Sequence, residues 1–78
     1  MEKNLSNFKK GEKGYISEIN VDEIPLKLLE MGCLPGNFIE LIQIAPFGDP
    51  YYFNINDSHV AIRKETAKEI IVTLETTI

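Results

Sequence analysis

"FIELIQIAPFGDPYYFNI" runs from Phe38 to Ile55, and the architecture turns on how its centre is understood. Two apolar, β-rich runs, Phe38 to Ile44 and Tyr51 to Ile55, flank a block that no strand accommodates. Pro46 and Pro50 fix φ and offer no ladder N–H, and Gly48 between them permits an angle that other residues avoid. The runs are therefore two strands joined by a sharp bend, which Asp49 is suited to cap with its side chain. Phe47 plays no part in that shape. An aromatic ring at a loop tip is exposed unless it folds under or meets a partner. "FIELIQI" itself is apolar at nearly every position, as in a strand covered on both faces or sticky on one.

Toward the C-terminus, "HVAIR" (His59 to Arg63) reads as another strand, set off by Asn56-Asp57-Ser58, residue types that tolerate hairpin turns. "KETAKE" (Lys64 to Glu69) gives one helical turn, and "IIVTL" (Ile70 to Leu74) a last strand. Toward the N-terminus, Pro35 and Gly36 suit the two central positions of a type II turn, the second of which needs positive φ. Before it, Ile24, Leu28 and Met31 recur at helical spacing. Asp22 or Glu23 stands at the N-cap, Pro25 in the first turn and Gly32 at the C-terminal cap. The spacing predicts a helix over Ile24 to Met31, with Leu26, Lys27 and Glu30 off its apolar face. "YISEI" predicts a strand over Tyr15 to Asn20, "KKGEKG" (Lys9 to Gly14) a turn, and Leu5 and Phe8 anchors for the N-terminal arm.

Five short strands in 78 residues are too few for a two-sheet sandwich of normal depth. Closing into a barrel removes their exposed edges. The expected fold is mainly β, a small five-stranded SH3-like barrel with a short helix after the first strand and a helical turn before the last. One domain over residues 1–78 suits the length.

Composition narrows the function. The chain is 44% hydrophobic and 26% charged, as globular domains are. Twelve acids against eight bases, the latter scattered, argue against nucleic-acid binding, which rests on clustered Lys and Arg. A single cysteine, Cys33, forbids an internal disulfide and fits a reducing compartment. The stretch "MEKNLSNFKK" is polar and has no apolar core of the signal-peptide type, and no run approaches the roughly 18 apolar residues that span a bilayer. A cytoplasmic protein, not inserted in a membrane, is expected.

"KKGEKG", "KLLEMGCLPGNFIEL", "APFGDP" and "VAIRKETAKEIIV", in this order and spacing, resemble the FeoA family of small ferrous-iron-transport proteins over about Leu5 to Leu74. The same set resembles the C-terminal SH3-like domain of iron-dependent repressors of the diphtheria-toxin-repressor type. Lys10 stands where many FeoA members have proline, and Asn56-Asp57 where glycine is common; both departures lie in turns. The resemblance implies a five-stranded SH3-like barrel in the cytosol, acting beside FeoB, a membrane transporter whose cytosolic part hydrolyses GTP. It carries over no catalytic residue.

The residues themselves point away from chemistry. Cys33, His59, Asp49, Asp57 and Glu30 are the metal donors available, yet none stands in a C-x-x-C, H-x-x-x-H or carboxylate-rich loop. No tight metal site and no cofactor are expected, and ferrous iron should bind weakly. Cys33 reads as a small buried residue after the helix cap, and His59 as solvent-facing beside Asp57. No phosphate-binding glycine motif exists, and a cysteine nucleophile would need a base that spacing does not supply. Binding remains. Phe47 at the loop tip and Leu26 on the helix are the candidate contact residues, with Pro46, Asp49, Pro50, Lys27 and Glu30 around them. The favoured function is a non-enzymatic accessory of ferrous iron uptake acting by contact with a FeoB-type transporter. The alternatives are a metal-responsive regulatory module akin to the repressor domain, and a peptide-binding SH3 module with Tyr15, Tyr51 and Tyr52 lining a groove.

Overall fold

The computed structural model describes residues 1–75. Strands β1 (Glu2–Asn4), β2 (Lys13–Ile19), β3 (Phe38–Ile44), β4 (Tyr51–Ile55), β5 (Ser58–Ile62) and β6 (Ile70–Leu74) form one antiparallel sheet. Their order is β1-β6-β2-β3-β4-β5, so β1 and β5 are its edges, and the expected barrel is not closed by strand pairing among the described residues. Helix α1 (Leu26–Glu30) lies in the β2–β3 connection, and α2 (Lys64–Ala67) between β5 and β6. The five expected strands are all present, three of them with the bounds read from the pattern.

The sixth strand is β1, which pairs Glu2, Lys3 and Asn4 with Thr73, Val72 and Ile71. Three polar residues carry no alternation to read. Their pairing is decided across the chain by the free edge of β6. The N-terminal arm is further held by the ammonium of Lys3, which donates to the Glu12 carboxylate at 2.8 and 3.1 Å. The Lys9 amide donates to the same group at 2.6 Å. Leu5 and Phe8 are buried as expected.

Two expectations are corrected. Gly14 lies within β2 instead of ending a turn. A Cβ there would stand 2.2 Å from the Thr73 carbonyl oxygen, so its glycine serves the close approach of β2 to β6. The helix is also shorter than its spacing implied. A 3₁₀ turn (Val21–Glu23) comes first, Ile24 is extended at φ −103°, and α1 begins after Pro25 with no side-chain cap. The ring of Pro25 pushes the preceding residue out of helical geometry, which outweighs the apolar spacing. Ile24 is nonetheless buried, and Leu28 and Met31 pack on the core. The helix ends as read. Gly32 has φ +103°, its amide donates to Leu29 O at 3.1 Å, and Cys33 N donates to Leu28 O at 3.0 Å.

Irregularities between Ile16 and Glu18 in β2 and between Leu41 and Gln43 in β3 bend the sheet around its core. Leu5, Ile16, Leu41, Phe53, Ile62 and Val72 are all buried there, each contributing roughly 1.5–3 kcal/mol. The Leu34–Asn37 turn has the expected geometry, with Gly36 at φ +95° and Asn37 N donating to Leu34 O at 3.2 Å. Asn56 and Asp57, both at positive φ, form the two-residue β4–β5 turn, and Ser58 already belongs to β5.

Candidate functional site

The β3–β4 loop is pinned from three sides. Ala45 N donates to Pro50 O at 3.1 Å and closes its base, while Gly48 N donates to Ala45 O at 2.8 Å with Gly48 at φ +88°. The third tie runs elsewhere than the sequence suggested. Asp49 does not cap its own bend; its Oδ1 accepts the Lys64 amide at 2.9 Å. Lys64 is the first residue of α2, whose own N-cap residue, Arg63, provides no side-chain cap. A carboxylate from the loop thus satisfies a helix N–H that would otherwise face water. Phe47 crowns this tethered loop and is 100% exposed.

A second feature opens beside α1. A groove of about 430 Å³ runs between Pro25, Leu28 and Met31 on one side and His59, Val60 and Ala61 on the other. Lys27, Arg63 and Thr66 complete it, so its walls are largely apolar and its charged groups cationic. Val60 is buried while His59 and Ala61 are exposed, so strand residues from both faces line the groove. It therefore follows the edge of β5.

Of the residues singled out from sequence, the structure brings Lys27 and His59 to the groove and ties Asp49 to its neighbourhood through Lys64, next to Arg63. Leu26 is 68% exposed, and Glu30 is exposed on the same short helix; neither lines the groove, nor do Phe47, Pro46 and Pro50. Pro25, Met31, Ala61 and Arg63 were missed. They meet only through the strand order, which local pattern does not carry. The three tyrosines share no groove. Tyr51 is buried and donates to Ser6 O at 3.2 Å, Tyr52 is exposed, and Tyr15 packs edge-on against Phe38 at 5.3 Å.

Cys33 is fully buried, and desolvation pushes its thiol up to about 11, leaving it protonated and unreactive near neutral pH. His59 is exposed on β5. Among the described residues no three His, Cys, Asp or Glu side chains converge to hold a metal. No helix of the described chain is long and apolar enough to cross a membrane.

Comparison with known proteins agrees with this architecture. The family described as FeoA domain matches residues 3–74. A curated relative, the Fe(2+) transport protein A/Fe(2+) transporter FeoB fusion protein of Porphyromonas gingivalis, is 37% identical over 71 residues. Those residues are 90% of this chain and only 8% of that relative's length. The crystal structure of an iron uptake regulatory protein (FeoA) is 28% identical with a TM-score of 0.82, covering 96% of this chain and 99% of that one. Stenotrophomonas maltophilia FeoA complexed with zinc, described as a prokaryotic SH3 domain protein, is 22% identical with a TM-score of 0.74, covering 94% and 89%. T. acidophilum IdeR is 21% identical with a TM-score of 0.81 over 95% of this chain and 34% of that one. The last two likenesses are of fold: the sheet is SH3-like, and part of an IdeR protein shares it.

Proposed function

The chain belongs to the FeoA family, and we propose that it is a non-enzymatic cytosolic accessory of ferrous iron uptake that acts by contact with a FeoB-type transporter. The observation that carries this reading is the Porphyromonas gingivalis fusion, in which a related domain and a FeoB transporter share one polypeptide. Covalent linkage raises the effective concentration of one module at the other, which serves a protein that works by touching its partner.

The surface suits that role. Phe47 is the leading anchor, an exposed ring on a loop already held by Pro46, Pro50 and the Asp49–Lys64 tie. Prior ordering lowers the entropy lost on association. Leu26 is the second anchor, with the charges of Lys27 and Glu30 beside it, the combination that interface hot spots use. Pull-down of detergent-solubilised transporter by this protein, with and without guanine nucleotide, tests the reading. Stable capture in at least one nucleotide state is expected, and no capture in either counts against it.

The fold shared with IdeR favours a second reading, a metal-responsive regulatory module. The described helices are five and four residues long, too short for the recognition helix of a helix-turn-helix repressor. Anaerobic titration with ferrous iron separates the two. Weak binding, no tighter than roughly micromolar, is expected of the accessory because no donor cluster forms. A stoichiometric tighter site would favour the sensor.

A further inference from the structure

The edge of β5 and the groove beside it combine three properties that the accessory role leaves unused. The first is a free ladder. The two-residue Asn56–Asp57 turn makes its flanking pair, Ile55 and Ser58, hydrogen-bonded to each other. Antiparallel pairs alternate, so Phe53–Val60 and Tyr51–Ile62 are hydrogen-bonded too, while Asn54–His59 and Tyr52–Ala61 are not. The backbone amides and carbonyls of His59 and Ala61 therefore point away from β4. They face the open side, because β5 ends the strand order. Among the described residues, no backbone bond from outside the regular elements reaches residues 58 to 62.

The second property is the apolar wall. Pro25, Leu28 and Met31 face the strand across about 430 Å³, a volume within the range of ligand clefts. The third is charge. The protein carries a net charge of −4, yet Lys27 and Arg63 line this groove and, among the described residues, no carboxylate does. Asp49, whose carboxylate accepts the Lys64 amide next to Arg63, does not line the groove.

We propose that this flank receives an extended acidic segment of the transporter. The segment's main chain adds to β5 at His59 and Ala61, an apolar side chain enters the groove against Leu28 and Met31, and flanking carboxylates meet Lys27 and Arg63. Main-chain pairing of this kind gives affinity, and the side-chain pocket with its charges gives register and choice of segment. The inference rests on the contact reading above and names the surface and the partner chemistry within it.

The test uses the full chain, a solubilised FeoB-type transporter, and short overlapping peptides covering that transporter's cytosolic sequence. The groove variant combines Lys27→Glu with Arg63→Glu, and the edge variant is Ala61→Pro, which deletes an outward amide without touching a β4 bond. Melting curves accompany both. The groove variant should weaken transporter binding more than about tenfold, and one acidic peptide should compete with the transporter for the wild type. That peptide should lose its affinity when its backbone amides are N-methylated at alternate positions, a change that needs no mutation of the protein. Its Lys-substituted counterpart should bind the groove variant better than the wild type. Capture of the transporter that is unaffected by the folded groove variant and uncompeted by any acidic peptide overturns the inference and leaves the contact reading standing. Absence of any capture by the wild type removes both. Concentration-dependent dimerisation that Ala61→Pro abolishes would assign the edge to a second copy of the chain and likewise overturn it.

Discussion

Phe47 and Phe53 lie six positions apart on the same β3–β4 hairpin and meet opposite fates. Phe53 is 1% exposed, edge-on to Phe8 at 6.4 Å and tilted against Tyr51 at 6.2 Å. Phe47 is wholly exposed. Their chemistry is identical, so backbone position makes the difference. The alternation of β4 turns residues 51, 53 and 55 inward, whereas the Pro46–Pro50 block leaves the sheet and carries its ring away from any neighbour. An isolated exposed apolar residue is ordinary on protein surfaces. What marks Phe47 is the bonding beneath it, which holds the tip in one place while the core does without it.

The comparison breaks most easily at its buried end. Phe53→Ala should cost about 3–5 kcal/mol, a large share of the roughly 5–15 kcal/mol that holds a domain folded. Chemical denaturation would show it as a lower midpoint at unchanged slope. Phe47→Ala should change stability by less than about 0.5 kcal/mol and weaken transporter binding by about 1–3 kcal/mol. A destabilised Phe47→Ala variant would mean that the ring packs on the domain. A stable variant with undiminished affinity would remove Phe47 as an anchor.

The same contrast shows what the sequence made legible. β3 and β4 were readable because their apolar runs are bounded by Pro, Gly and turn residues, which act over a few positions, and β6 because its β-branched run follows a charged helical turn. Phe47 was readable as a loop tip for the same reason. β1 was not, since a polar three-residue strand exists only because β6 offers it an edge. α1 is shorter than its apolar spacing implies, because the restriction that Pro25 places on Ile24 prevails over that spacing. The groove had the weakest signal of all. Its walls come from residues 25–31 and 59–66, which the fold alone brings together. The sequence presents Lys27 as a charge off the apolar helix face and Arg63 as the last residue of the strand HVAIR, with nothing to join them.

Asp49 sharpens the comparison from the loop side. Replacing it with Ala removes the acceptor for the Lys64 amide and should cost about 1 kcal/mol, as loss of an N-cap does. Asp49→Asn keeps an acceptor oxygen and should recover most of that. Hydrogen exchange at the Lys64 amide is the direct measurement, with faster exchange in the Ala variant than in the Asn variant. If Phe47 acts from a pre-ordered loop, Asp49→Ala should also weaken transporter binding, by less than Phe47→Ala does. Equal binding by Asp49→Ala and wild type would show that the tether is structural only.

Glu12 offers the smallest effect and a control for that tether. Both carboxylates pin a turn to a distant element, but Glu12 meets an ammonium where Asp49 meets an uncharged amide. The side-chain bond from Lys3 is the main cause holding the Glu12 carboxyl below its ordinary value, with the Lys9 amide adding to it against some desolvation. A carboxyl whose pKa is lower in the folded state stabilises the fold above its unfolded pKa and loses that contribution as pH falls through the folded value. The pair is partly exposed, so the contribution at neutral pH is about 1 kcal/mol or less. Glu12→Gln should therefore be slightly less stable than wild type at pH 7. The gap should close as pH drops below the ordinary carboxylate value of about 4.3. It should also shrink in molar salt, which screens the ion pair more than it does the Asp49–Lys64 bond, where only the acceptor is charged. A gap that persists at low pH would show that Glu12 acts through packing of its stem instead of its charge.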